Sequence, residues 1–167
     1  MSRPLAIEPV AARSSVRAGA QYATFFVDGL FFGVDVLEVQ EILREQTMTP
    51  VPLAPAEVEG LINLRGQIVT ALDMRRRLGL APRPSETAAM NVVIHTGGGA
   101  VSLLVDEIGD VIETGAAALE PPPENLSPLT RDLIAGIFQL EERLLLLLDV
   151  DNTVQVTAAP APGPAGV

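Results

Sequence analysis

Cysteine is absent from the 167 residues, and histidine occurs once, as His95. Without cysteine the chain can form no disulfide, no thiolate zinc site, no iron–sulfur cluster and no cysteine nucleophile. A single imidazole is too few for a histidine-rich metal site. Lysine is also absent, which excludes a Schiff-base lysine and the lysine of a phosphate-binding loop. We therefore expect neither a metal ion nor a cofactor.

Positive charge is scarce as well. The 21 acidic residues outnumber the 11 arginines, so the formal net charge is −10. Residues 1–19 contain three Arg and one Glu, or +2, so the rest of the chain carries −12. Such a surface repels nucleic acid and anionic membranes. The run Arg75-Arg76-Arg77 is too short for a duplex-binding face and is more typical of a helix C-terminus than of a phosphate site.

Long apolar runs are missing too. The apolar stretch at 144–148 is five residues long, whereas a membrane-spanning helix needs about 20. The first 20 residues mix Arg, Pro, Ser and Glu with apolar residues and contain no continuous apolar segment of the kind found in signal peptides. These features predict a cytoplasmic protein without direct membrane insertion.

The sequence does contain four pairs of short apolar segments, and each pair is joined by a turn. The four turns are Asp28-Gly29, Arg65-Gly66, Gly97-Gly98-Gly99 and Glu141-Glu142. This pattern predicts four β-hairpins and a mainly β protein of barrels or sandwiches. Two short helices are expected, at residues 37–43 and 74–78, with Asp73 as the N-cap of the second.

An internal repeat organises the hairpins. Residues 60–73 align without a gap with residues 136–149, so that Gly60 matches Gly136 and the final Leu-Asp pairs match. The repeat predicts two similar β subdomains, at about 20–80 and 90–150. Flanking them, we expect a flexible tail at 1–19, a possible short helix at about 150–157 and a disordered Pro/Ala/Gly tail at 158–167.

Few residues suggest catalysis. His95 and Ser102 lie on opposite sides of one predicted hairpin and could form an esterase-like pair, but no Gly-x-Ser-x-Gly elbow is present. The acidic residues of segment 106–113 are typical of a solvated bend. Asp149 begins a run that resembles a calcium loop, but Val154 replaces the required glycine, which favours helix capping.

One constellation suggests an interaction surface. Arg65 occupies a tight turn in an apolar hairpin, although Gly66 already supplies the permissive backbone that a turn requires. Val36, Val39 and Glu41 follow the first hairpin. An Arg and a Glu beside exposed valines would combine apolar anchors with a charge pair that fixes register. The alternative is a structural ion pair of little energy.

These residues also carry a family resemblance. The runs FFGVDVLEVQEIL at 31–43 and VEGLINLRGQIVTALDMRRRLG at 58–79 resemble the CheW family of chemotaxis coupling proteins. The second half agrees, with VSLLVDEIGDVIE at 101–113 and LIAGIFQLEERLLLLLDV at 133–150. Thr70 departs from the pattern, because the family usually has Pro there.

The resemblance implies a domain over about 20–157, built from two intertwined SH3-like five-stranded β-barrels with short helices. It implies no catalysis. Such proteins are adaptors that join the cytoplasmic tips of methyl-accepting chemoreceptors to the regulatory domain of the histidine kinase CheA, in receptor arrays at the inner face of the membrane. The receptor tip is expected in the groove between the barrels, and the kinase against the apolar barrel ends.

The resemblance also implies positions for these contacts. Receptor or kinase contacts are expected at Val36, Val39, Glu41, Asn63, Arg65 and Gly66. Further kinase contacts are expected, from the acidic bend, at Val105, Asp106 and Ile108.

Three other functions stay open from the residues. One is a small-molecule sensor with its ligand between the barrels. Another is the same kind of adaptor in a non-flagellar pathway such as pilus motility. The third is the esterase-like enzyme built on Ser102 and His95.

Overall fold

The computed structural model describes residues 19–156, where β-strands dominate as predicted. The tail expected at 158–167 and all but Gly19 of the tail expected at 1–19 lie outside the described residues. The strands are β1 Gln21–Val27, β2 Leu30–Asp35, β3 Val39–Arg44, β4 Val58–Leu64, β5 Gln67–Asp73, β6 Met90–Thr96, β7 Gly99–Val105, β8 Glu107–Ile108, β9 Ile112–Glu113, β10 Ile134–Gln139 and β11 Leu144–Leu148. The α-helices of this part of the chain are α1 Met74–Arg77, α2 Pro128–Leu133 and α3 Val150–Thr153.

The strands form two mixed sheets. The first has the order β10-β11-β2-β1-β8, with β9 also paired to β1, and the second has the order β3-β6-β7-β5-β4. Each sheet consists of two antiparallel hairpins joined by one parallel pair, β2 with β11 in the first and β5 with β7 in the second. The first sheet has six strands rather than the expected five because the edge beside β1 is divided between β8 and β9.

The two sheets are intertwined and do not follow the division of the chain into 20–80 and 90–150. The hairpin β1–β2 pairs with the last hairpin, β10–β11, while β4–β5 pairs with β6–β7. The repeat identifies equivalent hairpins correctly, but similarity between hairpins does not specify which one each will pair with. Each half of the chain therefore supplies one hairpin to each sheet.

The repeated glycines are explained by close backbone contact. In both hairpins the register shifts at the glycine, and a preceding segment crosses the strand there. A Cβ atom on Gly60 would lie 2.7 Å from the carbonyl oxygen of Thr49, and one on Gly136 would lie 2.6 Å from that of Glu120. Only glycine fits at these positions, because the neighbouring atom belongs to backbone that is itself hydrogen-bonded across the strand.

The main core lies between the sheets and takes buried residues from both of them. Phe25 and Phe32 of the first sheet stack with their ring centroids 5.8 Å apart, and Ile94 and Leu103 of the second sheet belong to the same fully buried cluster. Smaller clusters of buried apolar residues form within each half of the structure, on one sheet at a time. Burial of this apolar surface is the main term that stabilises the pairing of the two sheets.

The helices differ in part from the sequence prediction. Asp73 and Asp149 cap α1 and α3 as expected, each accepting a hydrogen bond from a backbone N–H in the first turn. The helix expected at 37–43 is wrong: a single 3-10 turn at Val36–Glu38 is followed directly by β3. The segment has the length of a short helix, but its backbone is used instead to pair with β6.

Helix α2 was not predicted. Its N-cap is Ser127, whose side chain accepts a hydrogen bond from Thr130 N, and Pro128 occupies the first helical turn. Serine followed by proline is a helix-start signal. The signal was hidden by the many prolines of segment 115–130, which indicate a loop.

We expect the substitutions Gly60→Ala and Gly136→Ala each to lower the free energy of unfolding by about 1–3 kcal/mol, because the added methyl group forces the crossing backbone away. Gly97→Ala is the matched control, since a Cβ atom there has no neighbour within 4 Å. Urea unfolding of the three variants measures the difference. Equal stability of Gly60→Ala and Gly97→Ala would contradict the backbone contact.

Candidate functional site

Arg65 lies at the tip of the hairpin β4–β5 in a backbone conformation that non-glycine residues rarely adopt. Its φ is +53° and that of Gly66 is +89°, as a two-residue type I′ turn requires. The Asn63 side chain closes the turn by accepting a hydrogen bond from Gly66 N at 2.8 Å. A positive φ at arginine costs about 1–3 kcal/mol, and such a cost is typical of a position selected for what its side chain does.

The Arg65 side chain is 70% exposed and donates a hydrogen bond to the carboxylate of Glu41, whose side chain is 20% exposed. Glu41 lies on β3, at one edge of the second sheet, while β4 forms the opposite edge. The ion pair therefore joins the two edges of a curved sheet, and Leu43 of β3 packs against the interior cluster that contains Ile62 and Leu64 of β4. The ion pair stands at the exposed rim of this closure.

The valines predicted to flank this pair are not exposed. Val36 and Val39 are half-buried and pack against the main core. Instead, the exposed apolar side chains of this region are Leu37, Ile42 and Ile68, which are 70%, 39% and 60% exposed. The prediction was wrong because the turn after β2 directs both valines towards the core. The signal for Ile68 was available, since it lies opposite Asn63 in the hairpin β4–β5.

We call Glu41, Asn63, Arg65, Gly66 and Ile68 the Arg65 tip. It combines one exposed guanidinium, its carboxylate partner, a turn-forming amide and an exposed apolar side chain. It holds the sequence-predicted residues Glu41, Asn63, Arg65 and Gly66 together at one end of the second sheet. The arrangement can form a charged hydrogen bond and an apolar contact with a partner.

The residues expected at the acidic bend have internal roles. Val105 is fully buried in the main core, so it cannot itself contact a partner. Asp106 accepts hydrogen bonds from Arg75 Nε at 3.1 Å and Nη2 at 2.8 Å, and from the backbone N–H of Asp28 at 2.7 Å. Ile108 is half-buried beside the core and also borders a surface cleft. Of the three, Ile108 is the one whose side chain borders a surface cleft.

The surroundings of Asp106 favour its ionised form. Burial is the largest influence and opposes ionisation, but hydrogen bonds from Arg75 and the Asp28 N–H, with the charges of Arg75 and Arg83, outweigh it and lower the pKa of Asp106. The hydrogen bond to Asp106 in turn raises the pKa of Arg75. Arg75 also donates to the carbonyl oxygen of Ala81 at 3.0 Å. The network ties the first hairpin, α1 and the connector after α1 to the end of β7.

The rest of the arginine run is also used within the molecule. Arg77 donates to the carbonyl oxygens of Thr153 at 2.8 Å and Asn152 at 3.0 Å, and so caps the C-terminal end of α3. Arg76 lies 3.5 Å from the carboxylate of Glu59. The run therefore does not form a phosphate site. Arg77 does interact with a helix C-terminus, as expected for the run, but that helix is α3 and not α1, to which the run itself belongs.

The esterase-like pair is not assembled. Ser102 is fully buried, and its hydroxyl donates to Asn91 Oδ1 at 2.8 Å. Asn91 in turn donates to the carbonyl oxygen of Arg44 at 3.0 Å. His95 is exposed beside the glycine turn. A nucleophile would have to reach substrate, so the buried hydroxyl of Ser102 contradicts this alternative.

The main core places buried side chains from both sheets in the space between them. An open cleft of about 580 Å³ lies at the surface instead, between the turn of the hairpin β6–β7 and α3. Among residues 19–156, no cluster of His, Asp and Glu side chains has the geometry to hold a metal ion. No helix in this described range has the length and apolar character needed to span a membrane.

Glu38 lies where the 3-10 turn approaches α3. Burial, followed by the negative charges of Asp35, Asp151 and Asp149, raises the pKa of Glu38 to about 7. Two of these acids belong to the start of α3 and one to the end of β2. An acidic junction therefore forms where the two halves of the chain meet.

Comparison with known proteins gives consistent matches. The family model of the CheW-like domain matches residues 21–158. The "Chemotaxis protein CheW" of Rhizobium meliloti is 30% identical over 142 residues, which cover 85% of this chain and 92% of that protein. The protein of the same name from Bacillus subtilis is 30% identical over 83% of this chain and 88% of its own length.

A solved structure supports the fold. The scaffolding protein TtCheW from Thermoanaerobacter tengcongensis superposes with a TM-score of 0.73, covering 84% of this chain and 95% of that one at 24% identity. At this level of identity the likeness concerns the arrangement of the strands.

We expect Asp106→Ala to lower the free energy of unfolding by about 1–3 kcal/mol near neutral pH, because it leaves the half-buried Arg75 without its nearest carboxylate and the Asp28 N–H without its acceptor. The pKa of Asp106 is lowered on folding, so its stabilising contribution is present above its ordinary value of 3.8 and is lost as the pH falls through the lower folded value. Urea unfolding of wild type and variant across acidic pH measures this. Glu107→Ala, which removes an exposed neighbouring carboxylate, should change stability by less than about 0.5 kcal/mol.

We expect Glu38→Gln to stabilise the protein above pH 7. The folded state binds a proton at Glu38 more tightly than the unfolded state, so wild-type stability falls as the pH rises from 4.5 to about 7. The variant lacks this fall. Thermal unfolding at a series of pH values compares it with Glu107→Gln, and identical slopes in the two variants would contradict the raised pKa.

Proposed function

The chain belongs to the CheW family and is an adaptor of chemotaxis-type signalling, and from this premise we propose that it joins methyl-accepting chemoreceptors to the histidine kinase CheA. In this proposal the receptor contributes its cytoplasmic tip and the kinase its regulatory domain. The protein acts without catalysis, in the cytoplasm, at the inner face of the membrane through receptor arrays. The buried state of Ser102 supports a role without a nucleophile.

The observation that carries the proposal is the Arg65 tip. An arginine held at positive φ and 70% exposed is costly for the turn. Its surface ion pair with Glu41 contributes only about 0–1 kcal/mol to stability, which does not offset that cost. Recognition of a partner gives the exposed guanidinium a role that the fold itself does not require.

The remaining predicted contacts have distinct roles in this proposal. Val36 and Val39 support the surface from beneath, since both pack on the main core. Asp106 holds the acidic bend in shape through Arg75 and contacts no partner directly. Ile108 is the residue of that bend that can meet the kinase, because it borders a cleft at the end of the first sheet.

Coupling requires the adaptor to bind both partners at once and to transmit a difference between them. The continuous core between the sheets provides a rigid connection between the two ends of the molecule. The adaptor can then favour one state of the kinase only to the extent that its contacts differ between the two states. Weak contacts repeated in an array give strong overall assembly.

We expect Arg65→Glu to weaken coupling without unfolding the protein. The substitution reverses the exposed charge and repels Glu41, which lies at the surface, so stability should change by no more than about 1 kcal/mol. Loss of an arginine hot spot of about 2 kcal/mol corresponds to roughly thirtyfold weaker binding. The measurement is co-sedimentation with receptor cytoplasmic fragments and CheA, with kinase autophosphorylation read alongside.

The matched control is Arg44→Glu, which makes the same charge change at the opposite, exposed end of β3. It should leave coupling close to that of the wild type. An unfolded Arg65→Glu protein would show that Arg65 is structural. Absence of kinase activation with wild-type protein and both partners would reject the proposed partners themselves.

A further inference from the structure

The two sheets differ at one matching position. In the second sheet the edge strand β3 is continuous, and Arg65 of the neighbouring turn pairs with Glu41 on it. In the first sheet the corresponding edge is interrupted between β8 and β9, where Gly109 N donates to the carbonyl oxygen of Thr24 and Thr24 Oγ1 donates to that of Asp110. The turn between β10 and β11 is not joined to this edge by an equivalent ion pair among the residues described.

A cleft of about 620 Å³ opens at this position. Its apolar surface includes Phe26 and Phe31, and Arg143 lies over both rings, with its guanidinium carbon 5.5 and 4.7 Å from the two centroids. Its charged residues, apart from this arginine, are all acidic: Asp110, Glu113, Glu141 and Glu142. Four carboxylates against one guanidinium make the cleft attractive to a segment that carries both positive charge and apolar side chains.

The described chain begins directly beside the cleft. Gln21 pairs with Glu113 at the start of β1, and its side-chain amide lies 3.5 Å from the Glu113 carboxylate. Residues 1–18 precede this point and carry Arg3, Arg13 and Arg17 against one glutamate. They have a net charge of +2, in a chain whose total is −10.

We propose that residues 1–18 of this same chain dock in the cleft at the end of the first sheet, with their arginines on the acidic rim and their apolar residues against the floor. The proposal does not depend on the identity of the partners given above. It assigns a contact within the protein at a cleft whose lining includes none of the residues of the Arg65 tip.

Distance and local concentration favour this occupant. An extended chain covers at most about 3.5 Å per residue, so Arg17 can lie up to about 14 Å from Gln21 and Arg13 up to about 28 Å. These distances allow both arginines to reach the rim residues that adjoin Glu113. A tethered segment also acts at an effective concentration in the millimolar range, so weak charge pairing and a few apolar contacts suffice to populate the docked state.

The absence of cysteine makes a direct test possible. Ser15→Cys introduces a single thiol between Arg13 and Arg17, and a nitroxide attached there broadens the amide signals of nearby residues in the full chain. We expect loss of signal at Ile112 and Leu140, which line the cleft, and full signal at Ile68 of the Arg65 tip. The loss should become clearly weaker, most of all at Leu140, with Arg13→Glu/Arg17→Glu and with Glu141→Arg/Glu142→Arg.

Two charge reversals on opposite sides of the contact keep the test decisive if one variant folds poorly. A mixture of spin-labelled chains with unlabelled, isotope-enriched chains separates the occupants: broadening in the mixture alone means that a second copy fills the cleft, which overturns the proposal. Absence of broadening at Ile112 and Leu140, or broadening that both charge reversals leave unchanged, overturns it as well. Success or failure of receptor and kinase binding does not enter this readout.

Discussion

The structure depends on two parallel strand pairs, β2 with β11 and β5 with β7. Each joins a hairpin from one half of the chain to a hairpin from the other half. Neither half can complete a sheet alone, and the main core that forms between the sheets draws buried residues from both. The pairs are long-range in sequence, so loop-closure entropy must be offset by apolar burial before either sheet is complete.

This arrangement gives the two ends of the molecule a common plan and different surfaces. Gly60 and Gly136 allow the same close crossing of a preceding segment, and Asp73 and Asp149 cap the equivalent short helices α1 and α3. The exposed edges of the two sheets differ because β3 is a continuous edge strand, whereas the matching edge of the first sheet is interrupted between β8 and β9. A shared rigid core can support two surfaces that vary independently.

The arginines and acids show how tertiary contacts decide the role of a motif. Arg75 and Arg77 belong to the same run of three arginines, yet they have different roles. Arg75 neutralises Asp106 at the end of β7, and Arg77 caps α3. Spacing along the chain could not separate these roles from phosphate binding, because the carbonyl groups that Arg77 meets are 75 or more residues away. The same reason accounts for Val36 and Val39, whose burial depends on how the turn after β2 meets the core.

The sequence by itself determined the strand content, the four hairpin turns and the internal repeat, because turn chemistry and apolar patterning act through short segments. It also determined the caps at Asp73 and Asp149. Only the tertiary structure decided which hairpins share a sheet, which valines are buried and where a cleft stays open, because those outcomes depend on packing between segments that no local pattern specifies.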